Sequence, residues 1–452
     1  MGSVSTPLID LAEQISASAR TISDFLSSKG LPQPSFDKDA PAYFPSTAEV
    51  EVLEARRILR ETSKKMFDLI TGPAESLIWL WFAVVFPLVS YIQAPAPAWL
   101  LTVLCHQEND NAALLYISHF KIAEAVPLDD EVTYTDVAAK SGRDEAQLRH
   151  ILQHAMTLNI FCEPKPGFVA HTAQSKLLLD KSFAGGQAHL SEIGLPSAAK
   201  LVESTEKWGA SQEKTETAFN VAFNTELPLF GYMAKSPERS EKFSSLMRTL
   251  VSSEGYNAQH AVDGFDWKRL GAATVVDVGG STGDFSIQIA NAAPSLTFVI
   301  EDLPAVVAQG ESLLPSSLKN RISFKAHDFF TPQPIHGADV YFLRSILHMH
   351  SDKYALLILE NIIPALKSGA SLIVQDIVLP SPGTVSPVEA RMLHLLDMQM
   401  MIYYNAHERS LNEWIKLFQA ADTRFKLRHF VNPPMSVLGV MEFVFEDGER
   451  TG

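Results

Sequence analysis

The chain has 452 residues, of which 46% are hydrophobic and 20% are charged. This composition excludes intrinsic disorder as the dominant state, and the length corresponds to two or three domains. The 37 Lys and Arg residues against 52 Asp and Glu residues leave a net charge of −15, whereas proteins that bind phosphate backbones usually carry a basic surface. We therefore expect neither nucleic acid nor an anionic membrane as a partner.

Cysteines are scarce, since Cys105 and Cys162 are the only two in the sequence. Two cysteines cannot build a disulfide framework, and they are too few for a cysteine-based zinc site. The first residues also lack the basic and apolar regions of a signal peptide. The sequence therefore predicts a protein of the reducing cytoplasm.

The N-terminal part contains two helical patterns and then an unusual segment. The helices are predicted over residues 7–30 and 50–70. Residues 77–107 contain no Lys, Arg, Asp or Glu, but three prolines interrupt them, Pro87, Pro95 and Pro97. Because a membrane-spanning helix needs about 20 consecutive apolar residues, we interpret 77–107 as an atypical apolar insertion, a buried interface segment or a retained intron rather than a membrane span.

Residues 112–159 show three helical patterns, and a short extended pair follows them near Gly167. This is the element order of a winged helix. The third helix, over residues 145–159, carries Arg149 as its only Lys or Arg. Because a helix that reads DNA usually belongs to a basic surface, we expect a dimerisation or substrate-wall role here instead of DNA recognition.

A mainly helical stretch, residues 191–255, carries an aromatic-rich patch. Its members are Phe219, Phe223, Phe230, Tyr232 and Met233. Such a patch at helical spacing forms either a hydrophobic core or the wall of a substrate site, and the sequence leaves both possibilities open.

From Gly271 onward, short β-rich runs alternate with helical patterns. Five strands are predicted, at residues 274–278, 296–300, 322–326, 338–343 and 371–378. This alternation indicates an α/β fold with a mostly parallel sheet and helices on both faces. A ligand is then expected at the carboxyl ends of the strands.

A glycine-rich turn joins the first of these strands to a helix, in the run Asp277-Val-Gly-Gly-Ser-Thr-Gly283. Asp302 follows Gly283 by 19 residues, close to the spacing of about 20 at which an acid binds a ribose diol. Asp277 and Asp328 stand at the ends of the first and third strands. Three acids suit a ligand with an ammonium group and ribose hydroxyls, and they would repel a pyrophosphate. The pattern therefore favours S-adenosylmethionine over a dinucleotide.

Five ordered motifs resemble those of the plant- and fungal-type small-molecule O-methyltransferases: the glycine-rich run, Asp302-Leu-Pro304, His327-Asp-Phe-Phe330, Leu343-Arg-Ser-Ile-Leu-His348 and Asn405-Ala-His-Glu-Arg409. The resemblance implies a class I methyltransferase domain with a Rossmann-like sheet. It also implies an N-terminal helical, winged-helix-like dimerisation domain and a homodimer. The implied boundaries are 1–190 for the dimerisation domain, 191–265 for a linker and substrate wall, and 266–452 for the cofactor domain.

The resemblance also implies which residues bind the cofactor. By position, the glycine turn would hold the methionine part, Asp302 the ribose, and Asp328 with Phe329 the adenine. The implied set is Asp277, Gly279, Gly280, Gly283, Asp302, Asp328, Phe329 and Arg344. A tight strand-to-helix turn is the alternative for the glycines, and a helix N-cap is the alternative for Asp328.

Methylation of a phenol needs a base, because a phenol has a pKa of about 10. His348 stands just after the fourth predicted strand, where the family has its base, and histidine has a suitable pKa near neutral pH. Asp376 and Glu408 match the two acids that orient this imidazole in the family. The resemblance therefore implies these three residues as the catalytic ones.

The chain departs from the family around this base. His348-Met-His350 stands where the family usually has His-Asp-Trp, and Ser345 stands where a Trp is common, so two indoles are lost and the site is reshaped. His348, His350 and Asp352 also echo a metallohydrolase pattern. However, Lys353 takes the place of the next histidine and no further ligands are evident, so no metal site is predicted.

Three functions are compatible with these residues. The first is methylation of a hydroxyl on an aromatic or polyketide-type secondary metabolite, a small-molecule substrate. The second is a dehydration, cycloaddition or Alder-ene reaction, as in fungal pericyclases that resemble these methyltransferases, with Arg344 or His348 polarising a carbonyl. The third is a non-catalytic winged-helix regulator. The intact base and its acids favour methyl transfer, while the altered flank favours the pericyclase.

Overall fold

The computed structural model describes residues 7–34, 44–45, 48–82 and 107–446. The chain divides into two compact units, Met1–Leu195 and Pro196–Gly452. Residues 83–106, which make up most of the atypical insertion and include Cys105, lie outside the described residues. Among the helices that are described, none is both long enough and apolar enough to cross a membrane.

The first unit is mainly helical. Its two long helices, α1 (Pro7–Ser28) and α2 (Val50–Phe82), pack through a cluster that includes Phe25, Leu26 and Val52. The backbone of α2 is kinked at Gly72, which has a φ of 76° and precedes a proline. The shorter helices are α3 (Gln107–His119), α4 (Ile122–Ala125), α5 (Tyr134–Ser141), α6 (Glu145–Met156), α7 (Ala173–Leu177) and α8 (Lys181–His189).

Two short strands flank the helices α5 and α6: the first precedes α5, and the second follows α6 near Gly167, where the sequence predicted an extended pair. Strand β1 (Val132–Thr133) pairs antiparallel with β2 (Phe168–Val169), and a bridge between Cys162 and Ala170 extends the pair. The helix ends have clear local causes. Gly142 ends α5 with a φ of 66°, and the Asp144 side chain begins α6 by accepting from the backbone N–H of Gln147.

A helical segment precedes the sheet of the second unit. It begins with a short π-helix (Leu190–Gly194). Six α-helices follow in the described residues: α9 (Leu195–Ala198), α10 (Leu201–Trp208), α11 (Ala218–Phe223), α12 (Leu229–Ala234), α13 (Pro237–Ser252) and α14 (Gln259–Asp263). Thr217 begins α11 with a reciprocal capping box to Asn220, and Pro237 occupies the first turn of α13.

The second unit contains a seven-stranded mixed sheet in the order β10-β11-β7-β6-β3-β4-β5. Its strands are β3 (Thr274–Val278), β4 (Thr297–Asp302), β5 (Ile322–Ala326), β6 (Val340–Arg344), β7 (Ser371–Asp376), β10 (Phe425–Val431) and β11 (Gly439–Phe445). Strands β3 to β7 are parallel, whereas β10 and β11 run antiparallel at one edge. A separate parallel pair joins β8 (Val378–Leu379) to β9 (Arg409–Ser410). The α/β fold class is confirmed.

Two apolar clusters, one containing Val276 and Val278 and the other Val275, lie on opposite faces of the sheet. The helices that follow the strands are α15 (Asp284–Ala292), α16 (Pro304–Leu313), α17 (Asp352–Ile362), α18 (Pro387–Tyr404) and α19 (Leu411–Ala421). This arrangement brings the carboxyl ends of β3, β4, β5, β6 and β7 to one edge of the sheet, where the candidate residues lie.

Candidate active site

The turn between β3 and α15 is close-packed and needs glycine. The backbone N–H groups of Gly279 and Gly280 both donate to the carbonyl of Glu301, at 2.8 and 3.0 Å. Gly283 has a φ of +85°, and a Cβ at Gly280 would lie 2.5 Å from the carboxylate of Asp277. The glycines therefore make the tight strand-to-helix turn that the sequence offered as one interpretation, and a side chain at these positions would collide with buried neighbours.

Two of the predicted acids flank this turn. Asp277 is buried and accepts a hydrogen bond from the Ser286 hydroxyl at 2.6 Å, while burial raises its pKa to about 6. Asp302 accepts from the backbone N–H of Ser281 at 2.9 Å and of Leu303 at 2.7 Å, and burial raises its pKa as well. Both acids are thus held rigidly beside the turn.

Asp328 and Phe329 follow β5 at the same edge. Asp328 accepts from the backbone N–H of Phe330 at 3.0 Å and lies in a turn, so it does not cap a helix. The Phe329 ring lies 4.9 Å from the Phe330 ring and 5.8 Å from His350. A Cβ on Gly279 would approach Phe329 to 3.6 Å, so this ring lies close to the glycine turn.

Arg344 ends β6, at the same edge of the sheet as Asp277 and Asp302. Its guanidinium carbon lies 3.5 Å from the ring centroid of Phe285, and Nη2 donates to the carbonyl of Tyr256 at 3.5 Å. Burial lowers its pKa to about 10, although the charges of Asp376 and Asp277 oppose this shift. Its Nε atom has no hydrogen-bond partner among the described residues.

The predicted base lies on a 3-10 turn, Leu347–Met349, directly after β6. The Nδ1 atom of His348 is 2.8 Å from Oε1 of Glu408, a carboxylate that is fully buried. Burial lowers the pKa of His348, but the negative charges of Glu408 and Asp376 outweigh burial and raise it to about 9. Asp397 holds Glu408 in turn, because its carboxylate accepts from the Glu408 backbone N–H at 2.8 Å.

Asp376, the second acid, ends β7 and is fully buried. Neither of its oxygens has a hydrogen-bond partner among the described residues. Burial raises its pKa to about 7, and the neighbouring charge of His348 opposes that rise. Asp376 therefore acts on the imidazole through charge, while Glu408 makes the hydrogen bond.

His350, Asp352 and His348 do not converge as the echoed metal pattern would require. Asp352 accepts from Arg409 at 2.7 Å, and both ring nitrogens of His350 are buried without partners in the described part of the chain. Burial and the nearby cations lower the pKa of His350 to about 3. Within the described ranges, no group of three or more His, Cys, Asp or Glu residues could hold a metal ion.

The rings of the aromatic patch fall into two groups in the second unit, one around Phe219 and one around Phe230. Phe219 lies 5.1 Å from Phe223 and 5.3 Å from Tyr232, and Phe230 stacks on Tyr404 of α18 at 5.9 Å. Phe219 is fully buried, so part of the patch is core. The stack on Tyr404 links the patch to α18, the helix that also carries Asp397.

Sequence reasoning missed two cations near the site. Lys214 places its Nζ atom 3.5 Å from the ring centroid of Phe330 and 4.2 Å from that of Tyr354, and burial lowers its pKa to about 8. Arg409 contacts the backbone of the turn that carries His348. Arg409 lies in a motif that the resemblance already used, whereas a lone lysine in a loop gives no signal in one sequence.

Two family models match the chain. The model of the O-methyltransferase domain matches residues 207–424, and that of the O-methyltransferase dimerisation domain matches residues 104–181.

Whole-chain relatives agree with these models. The O-methyltransferase VdtC of Byssochlamys spectabilis is 39% identical over 448 residues, which cover 97% of this chain and 98% of that protein. The chlorophenol O-methyltransferase of Trichoderma longibrachiatum is 33% identical over 454 residues, or 99% of this chain and 92% of the relative. A solved structure of LepI in complex with SAM has a TM-score of 0.65 at 20% identity, and it covers 96% of this chain and 100% of that one.

Proposed function

The chain belongs to the O-methyltransferase family, and on this basis we propose that it transfers the methyl group of S-adenosylmethionine to a hydroxyl of an aromatic or polyketide-type secondary metabolite. The observation that carries the proposal is the His348–Glu408 pair, 2.8 Å apart, at the same sheet edge as the glycine turn. A phenolic substrate is supported by the chlorophenol O-methyltransferase among the relatives.

The residues at the strand ends fit S-adenosylmethionine. The backbone at Gly280 passes so close to Asp277 that a Cβ there would lie 2.5 Å from its carboxylate, and the two carboxylates of Asp277 and Asp302 give this edge a negative charge that suits a cation. We assign the glycine turn to the methionine part, Asp302 to the ribose, Asp328 and Phe329 to the adenine, and Arg344 to a cationic position near the cofactor. When bound, this cofactor supplies an electrophilic methyl group on a positively charged sulfur.

His348 is assigned as the general base. Its pKa of about 9 lies close to the pKa of about 10 of a phenol, so proton transfer to the imidazole is nearly balanced in energy. Glu408 fixes the ring through Nδ1, which leaves Nε2 for the substrate hydroxyl. The charge of Asp376 stabilises the imidazolium after it has taken the proton.

The region 191–265 is proposed as the substrate wall, because the rings of Phe230 and Tyr404 stack beside the helix that holds Glu408 through Asp397. A homodimer is supported by the dimerisation domain at residues 104–181.

The direct test incubates the full chain and S-adenosylmethionine with a panel of phenols and polyketide aromatics, and identifies the products by mass spectrometry. A product that is heavier by one methylene, together with an equal amount of S-adenosylhomocysteine, is the expected result. The sequence difference at His350, where the family usually has a Trp, favours a competing outcome, a pericyclic reaction. An isomerised or dehydrated product without S-adenosylhomocysteine would replace the proposal with a pericyclic function.

A further inference from the structure

Arg409 is the most deeply buried cation beside the candidate base, with 1% of its side chain exposed. Its Nε and Nη2 atoms donate to the same carboxylate oxygen of Asp352, at 3.0 and 2.7 Å. Two further hydrogen bonds go to backbone carbonyls, from Nη1 to Leu347 at 3.1 Å and from Nη2 to His350 at 2.9 Å. All three nitrogens of the guanidinium are therefore used.

The two carbonyls bracket the base. Leu347 precedes His348 directly, and His350 follows it by two residues, so Arg409 ties down the backbone on both sides of the imidazole. Glu408, the residue before Arg409, binds the imidazole itself. Two consecutive residues thus hold the same turn, one through the side chain of His348 and the other through the backbone around it.

Arg409 is itself held in place by strand pairing and by a buried tryptophan. Its strand, β9, pairs with β8 so that Arg409 lies opposite Val378, two residues after Asp376. The guanidinium carbon lies 5.1 Å from the ring centroid of Trp414, which is fully buried and donates to the carbonyl of Ile377. Through Arg409, the turn Leu347–Met349 is therefore held in a fixed position relative to the end of β7.

We propose that Arg409 is a positioning residue for the base: it fixes the turn Leu347–Met349 so that the imidazole of His348 meets Glu408. The inference rests on the proposed function, in which His348 accepts a proton. A planar fork with several donors is required for this role, because one group must reach two carbonyls and a carboxylate at once.

A positioning role and a purely electrostatic role of Arg409 predict opposite changes in the pKa of His348 when Arg409 is replaced. The titratable and charged groups that face this imidazole are Glu408, Asp376, Arg409 and His350. The positive charge of Arg409 lowers the pKa of His348, so a purely electrostatic role predicts a rise in that pKa when the charge is removed. A positioning role predicts a fall, because the hydrogen bond and charge of Glu408 are lost when the turn moves.

The experiment measures the pKa of His348 by NMR in the full chain with isotope-labelled histidine, assigned with a His348→Asn variant. We expect the pKa to fall from about 9 toward the ordinary value of about 6.5 in Arg409→Met. Arg409→Lys keeps the charge but not the fork, so the same direction is expected there. Glu408→Gln should lower the pKa of His348 too. Adding Arg409→Met to Glu408→Gln should cause no further fall, because both changes remove the same interaction, that between His348 and Glu408.

Asp352→Asn is the matched control, since its side chain is 53% exposed and the two carbonyl contacts of Arg409 remain. The pKa of His348 should stay at its wild-type value in this variant. A pKa that rises in Arg409→Met, or that is unchanged in Arg409→Lys, would overturn the positioning role. Where Arg409→Met fails to fold, Arg409→Lys decides. The titration needs no turnover, so its result is independent of whether methyl transfer is found.

Discussion

The imidazole of His348 and the carboxylate of Glu408 meet at 2.8 Å although 60 residues separate them in the chain. The carboxylate is fully buried and the imidazole is 13% exposed, so Glu408 is shielded from water while part of the imidazole remains accessible. This geometry gives His348 a raised pKa and a fixed orientation, which are the two properties that the proposed base needs.

Replacing His348 by alanine should abolish most methyl transfer and leave cofactor binding intact. General-base catalysis contributes about 10²- to 10⁴-fold, so a loss of that size in kcat is expected. The glycine turn and Asp302 are untouched, so the affinity for S-adenosylmethionine, measured by calorimetry, should match the wild type. Full turnover by His348→Ala in the mass-spectrometric assay would remove His348 from the role of base.

Replacing Glu408 by glutamine should move the pH dependence of kcat/KM. His348 must be neutral to accept a proton, so the wild-type rate should rise with pH up to about 9. Without the charge of Glu408 the pKa of His348 falls, and the rising limb should shift to lower pH. Glu389→Gln changes an exposed acid in the first turn of α18 and should leave the profile in place.

The same pair predicts a pH dependence of stability. The pKa of His348 in the folded state is raised above its ordinary value of about 6.5. The stabilisation that the His348–Glu408 pair adds to the folded state is therefore fully present below about pH 6.5 and is lost as the pH rises through about 9. The difference in unfolding free energy between wild type and Glu408→Gln, measured by urea denaturation, should shrink over this range. A constant difference from pH 6 to pH 10 would contradict the raised pKa.

Replacing Gly280 by alanine should destabilise the second unit and weaken cofactor binding. The new Cβ would lie 2.5 Å from the Asp277 carboxylate and 2.8 Å from Ile300, so buried groups must move. Overpacking of this kind costs about 1–3 kcal/mol. Gly271→Ala is the control, because its φ is +64° but nothing lies within 4 Å of the added Cβ. It should cost about 1–2 kcal/mol from backbone strain and leave cofactor affinity unchanged.

Replacing His350 by phenylalanine should stabilise the protein. Both ring nitrogens of His350 are buried without partners in the described part of the chain, beside the rings of Phe329 and Phe330. An unsatisfied buried polar group costs about 1–3 kcal/mol, so a gain of about 1 kcal/mol is expected in urea denaturation at pH 7. A loss of stability at pH 7 would indicate that the two nitrogens are satisfied in solution.

The gain from His350→Phe should grow in acid. The folded-state pKa of about 3 lies below the ordinary value of about 6.5, so the wild type progressively loses stability as pH falls between these values. His350→Gln is the control, since it removes the titration but keeps a buried polar side chain. The stability of His350→Gln should depend less on pH than that of the wild type, but it should not exceed the stability of the wild type at pH 7.

Much of the fold was predictable because its signals are local. The predicted strands at 274–278 and 322–326 coincide with β3 and β5, and the glycine turn lies between a strand and a helix as expected. The winged-helix order was also visible, since caps such as Asp144 and Gly142 act within a few residues. Strands β10 and β11 were not predicted, because they follow the alternation of strands and helices and pair antiparallel at the sheet edge.

By itself, the sequence determined the elements, their order, the acidic strand ends and the residue types suited to methyl transfer, since each depends on neighbours within one turn or one strand. Only the tertiary structure decided which groups meet. It brought Glu408 but not Asp376 into hydrogen-bond contact with His348, and it aimed Arg409 at the backbone of the same turn. These contacts join residues about 60 positions apart, and they exist only because the chain crosses the sheet and returns to the same edge through β9.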